Sequence, residues 1–301
     1  MISVSPGAEA STHRDPNRGA LKQRVAENVL DRIERGALPL PSIPLAALAC
    51  FELLRKPDFS MQEAARVIEQ DPALALRVLS VSHSVAFRAK RQARSIIHAI
   101  TQLGAENLRL VLFEAMAAPI YESSDRRIRK ACRVLWRHSR AVASAARLAA
   151  LRTRAIDPGE AYLAGLLHDV GKPMVASLLL RAEHRLIGKQ TDLWLEPDAW
   201  LDVVQDIHRT VGVALVQKWE LAESIVRCVA FASTPQIVSH GSIVDCVGLA
   251  NALSKQAGVY TGAFDPAAVE AAVDEWSAEL GLVAEDIEAL RIDLKRFGAD
   301  D

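Results

Sequence analysis

The sequence predicts an all-α protein. Alanine and leucine dominate a chain of 301 residues that is 50% hydrophobic but only 5% aromatic, a balance that favours helices. Alternating runs of Val, Ile and Thr, which mark half-buried strands, are scarce. Apolar residues recur instead at helical spacing, in segments that open on Ser or Asp, with proline directly after Asp71 and Asp157.

The elements follow in order. Residues 1–20 are rich in Ser, Pro, Gly and Asp, lack periodicity and read as a disordered tail. From Leu21 onward Val25, Val29 and Ile33 share a helix face, and Gly36 is the stop. LPLPSIP (Leu38–Pro44) is an extended connector, because repeated prolines disfavour helix. Ser60 and Glu63 have the spacing of a capping box. Asp71-Pro72 opens the helix ALALRVLSVSH. Ser95 opens IIHAITQL, and Gly104 divides it from AENLRLVLFEAM. This unit has the outline of a helix–turn–helix, but its second helix offers Leu, Val and Phe where a groove reader needs Arg, Asn or Gln, so a core hairpin is expected. In the next helix Ile128, Cys132, Leu135, Ser139 and Val142 trace the inward face. Asp157-Pro158 with Glu160 repeats the start signal and opens the helix carrying His168 and Asp169. Further helices are expected at 197–206, 208–219, 221–231, 241–256, 266–280 and 284–296.

A formal net charge of -1 creates no global field that calls for nucleic acid or membrane. The four cysteines, Cys50, Cys132, Cys228 and Cys246, form no CxxC and read as reduced, buried thiols. The N-terminus lacks an apolar signal-peptide core, and no uninterrupted apolar run reaches the roughly 20 residues a bilayer requires. A cytoplasmic location is the expectation. After His240, twelve Asp and Glu face four Lys and Arg, so the last helices form an acidic extension expected to pack on the main domain.

The chemistry gathers around AGLLHDVGKP (Ala164–Pro173). Imidazole and carboxylate suit divalent transition metals, and a metal can activate water for phosphoester hydrolysis. Neighbours on a helix point about 100° apart, so His168 and Asp169 reach one ion only between helices, with further ligands from elsewhere. His138 and His208 are the candidate partners, each with the alternative of an ordinary buried or first-turn histidine. Gly212, one turn after His208, would let another backbone approach closely. Lys172 is expected at the lip of the pocket. Arg126, Lys130, Arg133 and Arg137, continued by Arg140 and Arg147, recur at helical spacing, and Arg88, Lys90, Arg91 and Arg94 form a second basic cluster. A solvated face is the plain reading of the stripe; an acidic protein partner comes next and nucleic acid third.

These motifs carry a family resemblance. WRHS, AYLAGLLHDVGK and HRTVGVALVQKW, in that order, resemble the successive motifs of the HD superfamily of metal-dependent phosphohydrolases. The upstream stretches Leu38–Phe87 and Arg94–Ala115 resemble the HDOD domain, the HD-related output domain of bacterial signalling proteins. The resemblance covers residues 21–232 and implies there an HDOD domain, a multi-helix HD-like bundle with an N-terminal helical subdomain; residues 233–301 are expected as a C-terminal helical segment packed on the HD-like part. It also implies a ligand pattern of a His, the His–Asp pair and a distal Asp. His138, His168 and Asp169 match the first three, and the distal position falls on Gly248, which has no side chain. Asp245 lies nearly one turn away. The paired histidines and Gly-Tyr-Pro signature of the HD-GYP relatives are missing from VAFASTPQ (Val229–Gln236).

The expected function is a non-catalytic regulatory module that binds signalling proteins, such as cyclic-dinucleotide enzymes or response regulators, and needs no cofactor. The alternative is a metal-dependent phosphohydrolase acting on a nucleotide or cyclic dinucleotide. There His138, His168 and Asp169 hold one divalent cation, while Lys172 and His208 line the pocket.

Overall fold

The computed structural model describes residues 44–54, 58–84, 93–187, 197–232, 241–260 and 264–298, with isolated positions between them. The expected tail over 1–20, the face of Val25, Val29 and Ile33, the connector, most of the second basic cluster and the stretch after Ala232 lie outside them. Every regular element among the described residues is a helix, with no strand.

Among the described residues, four helices form the N-terminal subdomain: α1 (Leu45–Leu54), α2 (Met61–Glu69), α3 (Pro72–Ser82) and α4 (Ile96–Ala117). Their shared core contains Leu54, Ile68, Val78, Ile100 and Leu108. Asp71 caps α3 through the amides of Ala73 and Leu74, and Ser95 caps α4 through that of His98, as their positions predict. The capping box at Ser60 does not form, because the Ser60 hydroxyl donates to Gln62 Oε1 instead. Gly104 adopts φ 73° and breaks α4 into two limbs, a conformation glycine reaches without a Cβ clash.

A 3₁₀ turn (Ala118–Tyr121) leads into α5 (Arg126–Thr153), the axis of the molecule. Its face of Ile128, Cys132, Leu135, Ser139 and Val142 is buried as expected. The alanines further along let helices approach from two sides. On one, Leu135 and Ala143 join a core with α6 (Pro158–Leu167), α7 (Gly171–Ile187), α8 (Pro197–Lys218) and α9 (Glu223–Phe231). On the other, Ala145, Ala146 and Ala149 meet α10 (Ile243–Gln256), α11 (Pro266–Glu279) and α12 (Ala284–Lys295). Asp157 caps α6 through the Glu160 amide at 2.7 Å, as its Asp-Pro signal predicts. Helix α8 runs unbroken where two segments were expected, since nothing around Ile207 interrupts it. The C-terminal helices lie on α5, and Asp286 of α12 pairs with Arg152 at 3.2 Å.

Pro158–Arg181 is the one described stretch long and apolar enough to cross a membrane, and 83% of its most apolar window is buried in the protein. It is a core element, interrupted by the turn at His168–Val170.

Candidate functional site

Two close backbone approaches assemble the site. At Gly165 a Cβ would stand 2.7 Å from the Ala143 Cα, so α6 crosses α5 at a distance only glycine permits. That crossing sets the turn after α6 against His138. At Gly171 a Cβ would lie 1.7 Å from the His208 carbonyl oxygen and 2.9 Å from the Gly212 nitrogen. The start of α7 therefore rests on the middle of α8, and His208 is drawn toward Asp169. The expectation for Gly212 holds; Gly171 is its partner.

Three imidazoles converge on one carboxylate. His138 Nε2 lies 3.7 Å and His168 Nε2 3.5 Å from Asp169 Oδ2, while His208 Nε2 is 3.9 Å from Oδ1. Each ring is held from behind. Nδ1–H donates to the Val259 carbonyl in His138 at 2.6 Å, to the Gly165 carbonyl in His168 at 2.7 Å, and to the Val204 and Gln205 carbonyls in His208. A carbonyl accepts only, so these contacts fix the Nδ1–H tautomer and leave an Nε2 lone pair facing the carboxylate. For His138 and His168 that Nε2 is buried without a hydrogen-bond partner.

The remaining charge comes from Lys172. Its ammonium donates to Asp169 Oδ2 at 2.5 Å, with both side chains 6% exposed. Lys172 also lies 5.0 Å from the centre of the Tyr260 ring, with Lys255 at 5.1 Å from the same ring. Burial holds all three imidazoles below their ordinary range, His138 at about 3, and neighbouring cations add to the effect. Desolvation opposes ionisation of Asp169, but the Lys172 ammonium outweighs it and keeps its carboxyl well below the usual range. Asp169 in turn holds the Lys172 ammonium above its ordinary value despite burial. Near neutrality the cluster thus has neutral histidines, one anion and one cation.

The HDOD domain family model matches residues 40–235. This chain belongs to the HDOD family. An uncharacterized protein of Treponema pallidum (strain Nichols) is 24% identical over 210 residues, 69% of this chain but only 39% of that protein, so the match spans well under half of the relative. Among solved structures, a Shewanella amazonensis SB2B protein named as a metal-dependent phosphohydrolase is 19% identical with a TM-score of 0.69, covering 93% of this chain and 99% of its own. An HDOD domain protein of unknown function from Geobacter sulfurreducens gives 23% identity and a TM-score of 0.61, again over 93% and 99%. A Marinobacter aquaeolei VT8 protein named as a signal transduction protein gives 21% and 0.60, over 95% of this chain and 65% of its own. At these identities the likeness is one of fold.

Within this HDOD chain, His138, His168 and Asp169 are the one group of three or more His, Cys, Asp or Glu, among the described residues, whose ligand atoms lie within 4.8 Å of one another. The donor kinds suit one divalent cation, and the Nδ1 bonds are the backing that ligating histidines ordinarily have. Donors for a second cation do not come from α10. Its one carboxylate, Asp245, accepts the Ser242 amide at 2.7 Å in an N-terminal capping box. Gly248, the position the resemblance assigned to the distal ligand, faces α11 instead: a Cβ there would meet the Trp276 ring at 2.4 Å. Ser254 of α10 does reach the histidines, with its hydroxyl 3.2 Å from His138 Nδ1.

Two expectations need correction. Lys172 is not at a lip but 5% exposed, at the centre of the cluster. His208 is mid-helix and buried, not an ordinary first-turn residue. In the basic stripe Arg126, Lys130 and Arg133 are exposed, while Arg137 is half-buried. Arg140 turns away to Glu114 at 3.0 Å. Glu114 also receives Arg77 at 2.6 Å and the Tyr162 hydroxyl at 2.6 Å, a network joining α3, α4, α5 and α6. Sequence reasoning missed this network, along with Tyr260, Ser254 and Lys255. Its one local hint was a glutamate within the apolar run LRLVLFEAM.

Proposed function

We propose that this chain is a non-catalytic regulatory module of bacterial cytoplasmic signal transduction that acts by contact with other signalling proteins. Cyclic-dinucleotide enzymes and response regulators are the classes to test first. One observation carries the reading: the Lys172 ammonium occupies Asp169 Oδ2, inside the donor set. The carboxylate that would draw a cation into the pocket already has one, supplied by the chain. The two other donors are neutral imidazoles, which hold a divalent ion weakly without an anionic partner. On this reading the pocket is a structural keystone that ties α5, the α6–α7 turn and α8 together.

The second reading, a metal-dependent phosphohydrolase, is favoured by the Nε2 atoms of His138 and His168, which have no hydrogen-bond partner. In that case His138, His168 and Asp169 hold one cation, with Lys172 withdrawn from Asp169 to face an anionic substrate and His208 lining the pocket. The cation supplies Lewis acidity and an acidified water.

Metal analysis of the purified protein, followed by turnover assays on cyclic dinucleotides and nucleotides with added manganese, separates the two. The expected result is substoichiometric metal and no turnover. Turnover that Asp169→Ala abolishes while the fold survives would establish the second reading.

A further inference from the structure

We propose that the cleft between the N-terminal subdomain and α6–α9 docks a partner segment, helical and amphipathic, with apolar anchors flanked by lysine or arginine. The proposal rests on the chain's reading as a protein-binding module and names the surface and the partner's chemistry.

The cleft has a volume of about 900 Å3 and lies where two separate cores meet. α1 and α4 form one wall, α6 another, and the α8–α9 turn closes the end. Phe51, Phe113, Met116, Leu163, Trp219 and Leu221 give it an apolar floor. The floor continues outward along α1. Leu48 lines the cleft at 37% exposure, and Leu45, one turn earlier on the same helix face, is 81% exposed. Two large exposed apolar residues on one helix face, continuous with an apolar cleft, form a patch rather than scattered singles.

Charge selects among occupants. Four carboxylates line the cleft, Glu52, Asp157, Glu160 and Glu220, against one cation, Arg109. Arg109 is already engaged by Glu106 at 2.9 Å and by the Leu54 carbonyl at 2.8 Å. Asp157 and Glu160 accept hydrogen bonds from neutral donors, the Glu160 amide and the Ser224 hydroxyl, which leave both negative charges in place. Glu220 terminates α8 at φ 54°, a left-handed position where glycine avoids the steric cost. The protein therefore places a carboxylate where a side chain is disfavoured, on the rim of this cleft. An apolar floor with an acidic rim matches a helix whose apolar stripe enters the groove while basic side chains reach the rim.

The probes are two fluorescein-labelled 14-residue peptides with identical Leu and Phe at helical spacing, one flanked by Lys and Arg, the other by Glu. Anisotropy titrations use the full chain. The basic peptide should bind at least tenfold more tightly than the acidic one. Glu160→Lys with Glu220→Lys should weaken the basic peptide at least tenfold and narrow or reverse the preference. Leu48→Asp should weaken both peptides. Glu285→Lys with Glu288→Lys, on the exposed face of α12, changes the net charge equally and should leave affinity within twofold. The proposal fails if the two peptides bind alike, if neither binds, or if the α12 pair weakens binding as much as the cleft pair. It fails equally if the wild-type chain sediments as a dimer that Glu160→Lys/Glu220→Lys dissociates, since a second copy then fills the cleft. Manganese-dependent turnover bears on the functional reading alone, so the two failures are distinguishable.

Discussion

Replacing Lys172 by methionine tests whether the pocket is charge-balanced from within. Methionine keeps an unbranched stem beside Tyr260 but removes the ammonium that contacts Asp169 at 2.5 Å. Asp169 then remains a buried carboxylate among neutral imidazoles. Breaking a buried pair by removing one partner costs about 3–5 kcal/mol. At about 2 °C per kcal/mol for a chain of this length, Tm falls by roughly 6–10 °C. The double variant Lys172→Met/Asp169→Asn, with neither charge, should recover most of that loss. The single variant also exposes Asp169 and two Nε2 lone pairs to an incoming cation. Manganese at 100 times its Kd would restore about 2.7 kcal/mol by binding the folded state alone, while wild type should gain little. Thermal denaturation with and without manganese reads all three proteins. Equal stabilisation of wild type and Lys172→Met by the metal, or a loss under about 1 kcal/mol in the single variant, would refute the argument.

Acid should destabilise the fold from an unusually high pH. His138 is neutral in the folded state down to about 3 but protonates near 6.5 when unfolded, so its contribution is complete above pH 6.5 and is lost as pH falls from there toward 3. His168 and His208 shift in the same direction. His138 alone implies a loss of about 2 kcal/mol between pH 7 and pH 5, and equal urea midpoints at the two pH values would contradict it. Gly171→Ala drives a methyl group to 1.7 Å from the His208 carbonyl, so it should cost about 3 kcal/mol or more and separate α7 from α8; a near-neutral variant in urea unfolding would show that this crossing yields. Glu114→Gln removes the anion facing Arg77 and Arg140. Because Arg140 is 43% exposed the expected cost is nearer 2 kcal/mol than the full buried-pair value, and amide exchange should quicken first across the seam of α4, α5 and α6.

The fold was legible because its signals are local. Asp71, Ser95 and Asp157 cap helices within three residues of themselves, and the inward face of α5 repeats at helical spacing. Half of the site was legible for the same reason: His168 and Asp169 are adjacent, and Lys172 is one turn on. Other parts depend on distant backbone. The carbonyl that fixes the tautomer of His138 belongs to Val259, 121 residues away, and no spacing rule reaches that far. The placement of Gly248 failed because a helix offers every face to a sequence reading, and only the Trp276 ring shows which side of α10 is turned from the pocket.

On the non-catalytic reading, the relation between Lys172 and Asp169 accounts for a metal-type motif serving as structure. A buried aspartate with three neutral imidazoles would be an uncompensated charge, and the chain could lose it by protonation, by taking up a cation or by supplying one. Here Lys172, three residues further on, supplies it, and the donor set closes on a buried salt bridge. Such a joint has a cost: two Nε2 atoms are buried without hydrogen-bond partners, a state that costs about 1–3 kcal/mol each. The Nδ1 bonds offset part of that penalty: His138 ties α5 to the Val259 carbonyl beyond α10, and His168 and His208 bond carbonyls of their own helices, while the convergence of all three rings on Asp169 brings α5, the α6–α7 turn and α8 together. On the proposed reading, side chains that would hold an ion in a hydrolase hold three segments of chain in register.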